Sequence, residues 1–335
     1  MRKVLLTTTA LVALGGVSAA SALEISGFQR FIYSSWDDTA AEAAGENDSE
    51  LVQYFRLQFD HAVTSDSGLD ISMRSRYNNI QGGTESYENI SISGDFGKFS
   101  VGNMDNPGFN MTTGLLNAGK YVDDIDQTFV SGTSGTNLSG AVAGGQLDEA
   151  SSYAVSYTFP SVAGFTVQVA QADSGTSSEA DTREIGAMYQ TAAGATDITV
   201  SYISSKADSS DGATNDETDH SEMSLVAANG PFTLRYGTSN NETIGTDGVT
   251  DIDREANEAS LEYQVSDALV AAFINLDSKD GMDDTNNTNV EQNIFAARYT
   301  LAPGVLVYAS YADFDYEGAT ANSGSQTNIA LRVNF

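Results

Sequence analysis

The sequence predicts an all-β fold, a transmembrane up-and-down antiparallel β-barrel of about sixteen strands. Three observations carry that prediction. Apolar and polar residues alternate with period two along the chain. Short and long connections alternate between the strands. Aromatic residues collect at strand ends, while whole charges sit on the polar faces.

Composition sets the outer limits. Asp plus Glu number 46 against 15 for Lys plus Arg, a formal charge of −31 over 335 residues. Such a chain repels phosphate backbones, which argues against nucleic acid as a partner. With 40% apolar and 9% aromatic residues it is too apolar for an acidic disordered chain. Gly numbers 31 and Pro only 4, so Gly, Asn, Asp and Ser must make the turns. The lack of cysteine removes disulfides, thiolate metal sites and cysteine nucleophiles, and two histidines, His61 and His220, leave little for imidazole catalysis.

Residues 1–22 read as a secretory signal peptide. Arg2 and Lys3 precede an apolar stretch from Val4 to Val17, interrupted only by Thr7, Thr8 and Thr9 among its non-glycine residues, and Ala20-Ser21-Ala22 is a small-x-small cleavage site. The run falls short of the ~20 residues of a spanning helix. The barrel is then expected over residues 23–335, and loss of Arg2 and Lys3 takes the formal charge from −31 to −33.

The strands follow in order. Leu51, Gln53, Phe55, Leu57 and Phe59 oppose Arg56, Gln58 and Asp60; Leu69, Ile71, Met73 and Tyr77 oppose Asp70, Ser72, Arg74, Arg76 and Asn78. Tyr153 to Phe159, Phe165 to Ala170, Phe232 to Gly237 and Glu258 to Val265 alternate in the same way. The last strand is the clearest, with Ile329, Leu331, Val333 and Phe335 against Asn328, Ala330, Arg332 and Asn334. Short turns at 65–68, 94–97, 160–164, 192–195, 229–231, 266–267 and 302–304 alternate with longer acidic loops at 37–50, 173–181, 207–219, 240–254 and 277–289.

A sandwich or solenoid would alternate too, so the question is what covers the apolar face. Phe59, Phe96, Phe99, Phe159, Phe165, Tyr189, Phe232, Tyr263 and Tyr299 gather beside the short turns, and Tyr33, Trp36, Tyr54 and Tyr77 lie near the long loops. Two such rings are the girdles of a membrane barrel. A sandwich core tolerates few charges, whereas a wet lumen solvates them. Leu269 to Leu276 and Val305 to Tyr316 are apolar on both faces and are expected against a plug, a loop or another subunit.

The chain resembles the Gram-negative general porins, of the alphaproteobacterial type. The resemblance rests on Glu24-Ile25-Ser26-Gly27 opening the first strand and on Ser65-Asp66-Ser67-Gly68-Leu69. It rests also on Gly97-Lys98-Phe99-Ser100-Val101-Gly102 before a long third loop, and on the terminal Arg332-Val333-Asn334-Phe335. Many porins carry Arg or Gln where this chain has Asn103. The resemblance implies a passive, water-filled outer-membrane channel for small hydrophilic solutes and ions in a Gram-negative bacterium. It also implies a homotrimer in outer-membrane lipid, no cofactor, and recognition of Phe335 by barrel-assembly machinery.

Residues 104–150 form the longest stretch without alternation and match the loop that porins fold inward. They contain Asp123, Asp124 and Asp126, the expected acidic side of a constriction. The expected basic wall is Arg30, Arg56, Arg74 and Arg76 on the first three strands, and Arg235, Arg298, Arg332, Glu258 and Glu262 are also expected to face the lumen. Turned toward lipid, each Arg would cost roughly 2–4 kcal/mol at the bilayer midplane. The acidic loops could bind Ca²⁺, but no spacing matches an EF-hand.

Rival functions fare less well. An enzyme needs a nucleophile and base in reach; His61 falls near a short turn, His220 in an acidic loop, and neither has an evident serine partner. A substrate-specific channel would show a run of lumenal aromatics, which the pattern does not suggest. A secreted soluble β-rich adhesin remains the third alternative.

Overall fold

The computed structural model describes residues 22–38, 49–80, 83–105, 107–111, 153–173, 180–209, 217–244, 250–280, 289–317 and 322–335. The chain forms β1 (Ala22–Asp38), β2 (Ser49–Thr64), β3 (Asp70–Ile80), β4 (Gly83–Gly94) and β5 (Gly97–Gly102), then one helical turn, α1 (Pro107–Met111). There follow β6 (Tyr153–Thr158), β7 (Phe165–Asp173), β8 (Ala180–Ala193), β9 (Thr196–Ser209), β10 (Glu217–Asn229) and β11 (Phe232–Ile244). The chain ends with β12 (Thr250–Gln264), β13 (Leu269–Asp280), β14 (Asn289–Ala302), β15 (Val305–Glu317) and β16 (Asn322–Asn334). The sixteen strands make one closed barrel in which each pairs with its chain neighbours and β1 pairs with β16. Closure leaves no sheet edge, the condition for a sheet to sit in hydrocarbon.

The barrel closes on its last residue. Gly27 N donates to the Phe335 carbonyl at 3.0 Å, and Phe335 N donates back to Gly27 at 3.0 Å. The Phe335 ring lies over Gly27, where a Cβ would stand 2.8 Å from ring carbon Cζ, and stacks beside Phe55. Glycine is needed there because terminal ring and neighbouring backbone already fill the space.

Burial alternates along the middle of the strands. On β14, Val290, Gln292, Ile294 and Ala296 are buried toward the lumen while Glu291, Phe295 and Tyr299 are exposed outside. The exposed side carries the apolar band, with Phe31, Leu234, Leu261, Phe273 and Leu331 among its members. The lower girdle lies where expected: Phe96, Phe99, Phe159, Phe165, Tyr189, Phe232, Tyr263 and Tyr299 are all exposed outward, and Phe232 stacks on Tyr263 at 4.8 Å.

Two expectations are corrected, and a third is placed on the inner face. Tyr54 belongs to the lumen, because it shares the pleat phase of Val52 and Arg56. The strands run further than their acidic ends suggest: β11 extends to Ile244 and β12 begins at Thr250, inside the expected 240–254 loop. The doubly apolar strands put their second apolar face inward, where Ala272, Ile274, Ile294, Ala296 and Ala312 form a buried cluster on β13–β15. Residues 1–21, Trp36's side chain and most of 104–150 lie outside the described parts.

Candidate functional site

One side of the lumen, β16 and β1–β3, carries five arginines. Arg30, Arg56, Arg74, Arg76 and Arg332 all sit in the inward phase. Arg30 and Arg332 are direct cross-strand partners, as are Arg30 and Tyr54, and Phe28 and Arg56. Like charges side by side repel, and this wall answers with aromatic faces. The Arg332 Cζ stands 3.9 Å from the Phe28 ring centroid, Arg56 5.3 Å from the same ring, Arg30 5.0 Å from Tyr54 and Arg76 4.9 Å from Tyr87. Phe28 and Tyr54 themselves meet edge to face at 5.1 Å. The ring quadrupoles hold guanidiniums without discharging them.

Hydrogen bonds fix the remaining freedom. Arg56 donates from Nε to Asn78 Oδ1 at 2.9 Å and from Nη2 to the Tyr54 hydroxyl at 2.7 Å. Arg76 Nε donates to Gln58 at 3.0 Å, and Arg332 Nε to Asn334 at 2.8 Å. Arg74 differs: it forms an ion pair with Asp60 on β2 at 2.8 Å, so its charge is locally neutralised.

The chain leaves β5 and turns inward over a bed of small residues. Asn103 N donates to the Glu88 carbonyl at 2.9 Å. Met104 packs on Ala154, Ala170 and Ala172, and Ser156 donates to its sulfur at 3.3 Å. Asn110 ties α1 to Gln168 on β7 at 3.2 Å. Beneath α1 is Gly186 on β8, where a Cβ would lie 2.9 Å from Met111 Sδ and 3.0 Å from Pro107 Cβ. The small lumenal side chains of β6–β8 make room for this segment. At its root, Asp105 stands 4.0 Å from Arg76 Nη1.

The opposite side, half the circumference away on β8–β12, is acidic. Glu184, Glu222, Glu258 and Glu262 face inward there, with His220 among them. Glu262 pairs with Arg235 at 2.8 Å.

Arg235, Arg298, Arg332, Glu258 and Glu262 therefore occupy the inward phase, whereas Asp123, Asp124 and Asp126 lie outside the described residues. His220 is corrected: it is a buried lumenal residue of β10, with Ser205 as its cross-strand neighbour, although no hydrogen bond joins them. His61 lies within β2. Sequence reasoning missed Phe28, Tyr54 and Tyr87 as the floor beneath the arginines, and Asp60, Asp105 and Glu184. The common phase of Phe28 and Arg30, and of Tyr54 and Arg56, was the available signal.

A closed barrel with an apolar exterior and a charged lumen narrowed by an inward segment has the architecture of an outer-membrane diffusion channel. The family profile of Gram-negative porins matches residues 7–319, and the chain belongs to that family: it is an outer-membrane diffusion porin of the Gram-negative type. Among solved structures it is similar to a triple mutant of the Rhodopseudomonas blastica porin, at 16% identity and TM-score 0.61, covering 93% of this chain and 100% of that one. It is also similar to a loop-deletion mutant of OmpT, an outer-membrane protein of Vibrio cholerae, at 15% identity and TM-score 0.66, covering 94% and 100%. No curated protein sequence matches it.

Proposed function

We propose that this porin filters small hydrophilic solutes and ions at a constriction set by the inward segment of residues 104–150. Arg30, Arg56, Arg74 and Arg76 form its basic wall and Asp123, Asp124 and Asp126 its acidic lip. The single observation that carries this reading is the row of guanidiniums held on aromatic faces beside Asp105, where the chain turns into the lumen. A fixed transverse field orients dipolar solutes, while apolar solutes must shed ordered water to pass. Replacing Asp123, Asp124 and Asp126 together by Asn should shift the zero-current potential toward anion preference while leaving the cutoff for neutral sugars nearly unchanged. An unaltered potential in planar bilayers rejects the acidic lip.

The same reading takes residues 1–22 as the signal peptide, 23–335 as the barrel and Phe335 as the mark recognised by barrel-assembly machinery. It takes the functional unit as a homotrimer in outer-membrane lipid. Support for a subunit contact comes from β3 and β4. Glu88 is exposed on the outer face, level with Ser75 and between the heights of Met73 and Tyr77. A carboxylate facing hydrocarbon is costly, so a neighbouring subunit suits that patch better than lipid. Passive diffusion needs neither cofactor nor catalytic group, and Ca²⁺ on the acidic loops would be peripheral to it.

A further inference from the structure

The acidic wall contains a row of side chains that the diffusion pathway does not explain. Glu184 on β8 is the cross-strand partner of Ser205 on β9, Ser205 of His220 on β10, and His220 of Asn241 on β11. All four face inward and are more than nine-tenths buried: Glu184 3%, Ser205 1%, His220 3% and Asn241 6% exposed. Glu184 has the backbone N–H of Gly108 on α1 beside it, and beyond that its carboxylate, the Ser205 hydroxyl, both His220 nitrogens and the Asn241 amide oxygen have no hydrogen-bond partner. Buried polar groups are ordinarily paired. These four under-paired side chains stand side by side in one register row.

The chemistry of the orphaned atoms is one-sided. Carboxylate and amide oxygens only accept, and a hydroxyl and a neutral imidazole each bring one donor and remain acceptors besides. The row therefore offers more acceptors than N–H or O–H donors, and among the described residues no inward cation stands beside Glu184. Arg183, its sequence neighbour, and Lys206, opposite Arg183 on β9, are exposed outside the barrel, and Arg235 is taken by Glu262. The inward cation of the row, Arg254, is the partner of Asn241 at the far end. Neighbouring strands lie about 4.8 Å apart, so the row spreads over some three strand spacings. That is too wide for the 2.0–2.6 Å shell of one metal ion. Among the described residues, no group of three His, Cys, Asp or Glu could hold one.

We propose that Glu184, Ser205, His220 and Asn241 form a binding site for solutes carrying a primary ammonium group. The ammonium supplies three donors and the missing positive charge at Glu184, and the polar remainder lies along His220 and Asn241. The inward segment roofs the site, since α1 packs on Gly186, two residues along β8 from Glu184. An ammonium-bearing solute thus pauses on the wall opposite the arginines. The ammonium can belong to an alkylamine or to the amino terminus of a short peptide, whose carboxylate would face Arg254.

This inference rests on the open-channel reading, so conductance in KCl alone is measured first and tests that reading separately. Detergent-solubilised protein is then titrated calorimetrically with ethylamine, triglycine, N-acetyl-triglycine and tetramethylammonium, and each is added to single channels. Ethylamine and triglycine should bind and produce brief blockades, whereas N-acetyl-triglycine and tetramethylammonium, lacking the N–H₃ group, should not. Glu184→Gln should raise the half-blocking concentration about ten-fold or more, since hydrogen bonds to a charged partner are the strong ones. Ser205→Ala should raise it less, and Glu262→Gln, on the same wall, should leave it unchanged. Heat-modifiable electrophoretic mobility verifies that each variant is folded. Tighter binding of triglycine than of ethylamine brings Arg254 into the site; equal binding confines the site to β8–β11. Equal blockade by tetramethylammonium, an unaffected Glu184→Gln protein, or an equal loss in Glu262→Gln overturns the proposal.

Discussion

The two facing walls of this lumen satisfy their charges in different ways. On β16 and β1–β3, Arg56 and Arg332 each have an aromatic face and donate a hydrogen bond to an acceptor on a neighbouring strand or on the same strand, and Arg76 has Tyr87 and Gln58. On β8–β11, Ser205 and His220 have neither, the Asn241 amide oxygen has no partner, and Glu184 has only the backbone of Gly108. The first wall is held largely by groups of the protein itself, so its geometry depends little on what passes and it can act as a fixed field. The second is incomplete in hydrogen-bonding terms, and a passing solute can complete it. A channel built this way is rigid where it repels or orients and receptive where it holds.

The largest expected effect comes from dismantling the first wall. Replacing Arg30, Arg56 and Arg332 together by Ala removes three clustered guanidiniums whose fields are poorly screened inside a narrow lumen. The cation-to-anion permeability ratio should rise several-fold, on the order of ten. Bi-ionic potentials in planar bilayers read this directly. A ratio unchanged within error means that the field at the constriction comes from elsewhere.

Next in size is a change to the bed on which the inward segment lies. Gly186→Val introduces atoms where Pro107 and Met111 already sit. Overpacking of this kind costs roughly 1–3 kcal/mol, and the side able to yield is α1, since β8 is locked in the ladder. Lifting α1 off the wall moves it toward the barrel axis. Conductance should fall by roughly a factor of two while ion preference is retained. A conductance equal to wild type would mean that α1 is not part of the narrowing.

Much of this was legible in the residues. Period-two alternation sufficed for sixteen strands and for the inward phase of Arg56, Arg76, Arg235 and Glu258, because lipid on one face and water on the other force a strict choice at every position. What stayed hidden depends on pairing across strands. The ion pair of Arg74 with Asp60 and the row from Glu184 to Asn241 are properties of register, which spacing along one strand does not contain. His220 was misplaced because its acidic, polar neighbourhood looks like a loop. In a lumen, polarity on the inner face and acid at the outer rim leave little apolar signal to mark a strand. Tyr54 was assigned to the girdle by its residue type, and the pleat overrules type.

A smaller effect separates members of the basic wall. Arg74→Ala removes a charge that Asp60 already offsets, whereas Arg56→Ala removes one that rests on neutral partners. The permeability ratio should move clearly for Arg56→Ala and slightly for Arg74→Ala. Partly exposed ion pairs are worth about 0–1 kcal/mol, so Arg74→Ala should barely alter stability. Asp60→Asn supplies the complement: it frees Arg74 and should increase anion preference. If Arg74→Ala and Arg56→Ala shift the potential equally, local pairing does not govern the field.

The smallest change tests whether ring or hydroxyl anchors Arg56. Tyr54→Phe keeps the face beneath Arg30 and Arg56 and the edge contact with Phe28 but removes the acceptor of the 2.7 Å bond from Arg56. A single hydrogen bond to a charged group contributes about 1.5–3 kcal/mol when buried, and Arg56 retains Asn78 as a second partner. Its guanidinium should loosen without leaving the wall, so mean conductance and ion preference should be nearly unchanged while open-channel current noise increases. Tyr54→Leu, which removes the face as well, should shift ion preference. The order Leu above Phe assigns the anchoring to the ring; equal shifts would assign it to the hydroxyl.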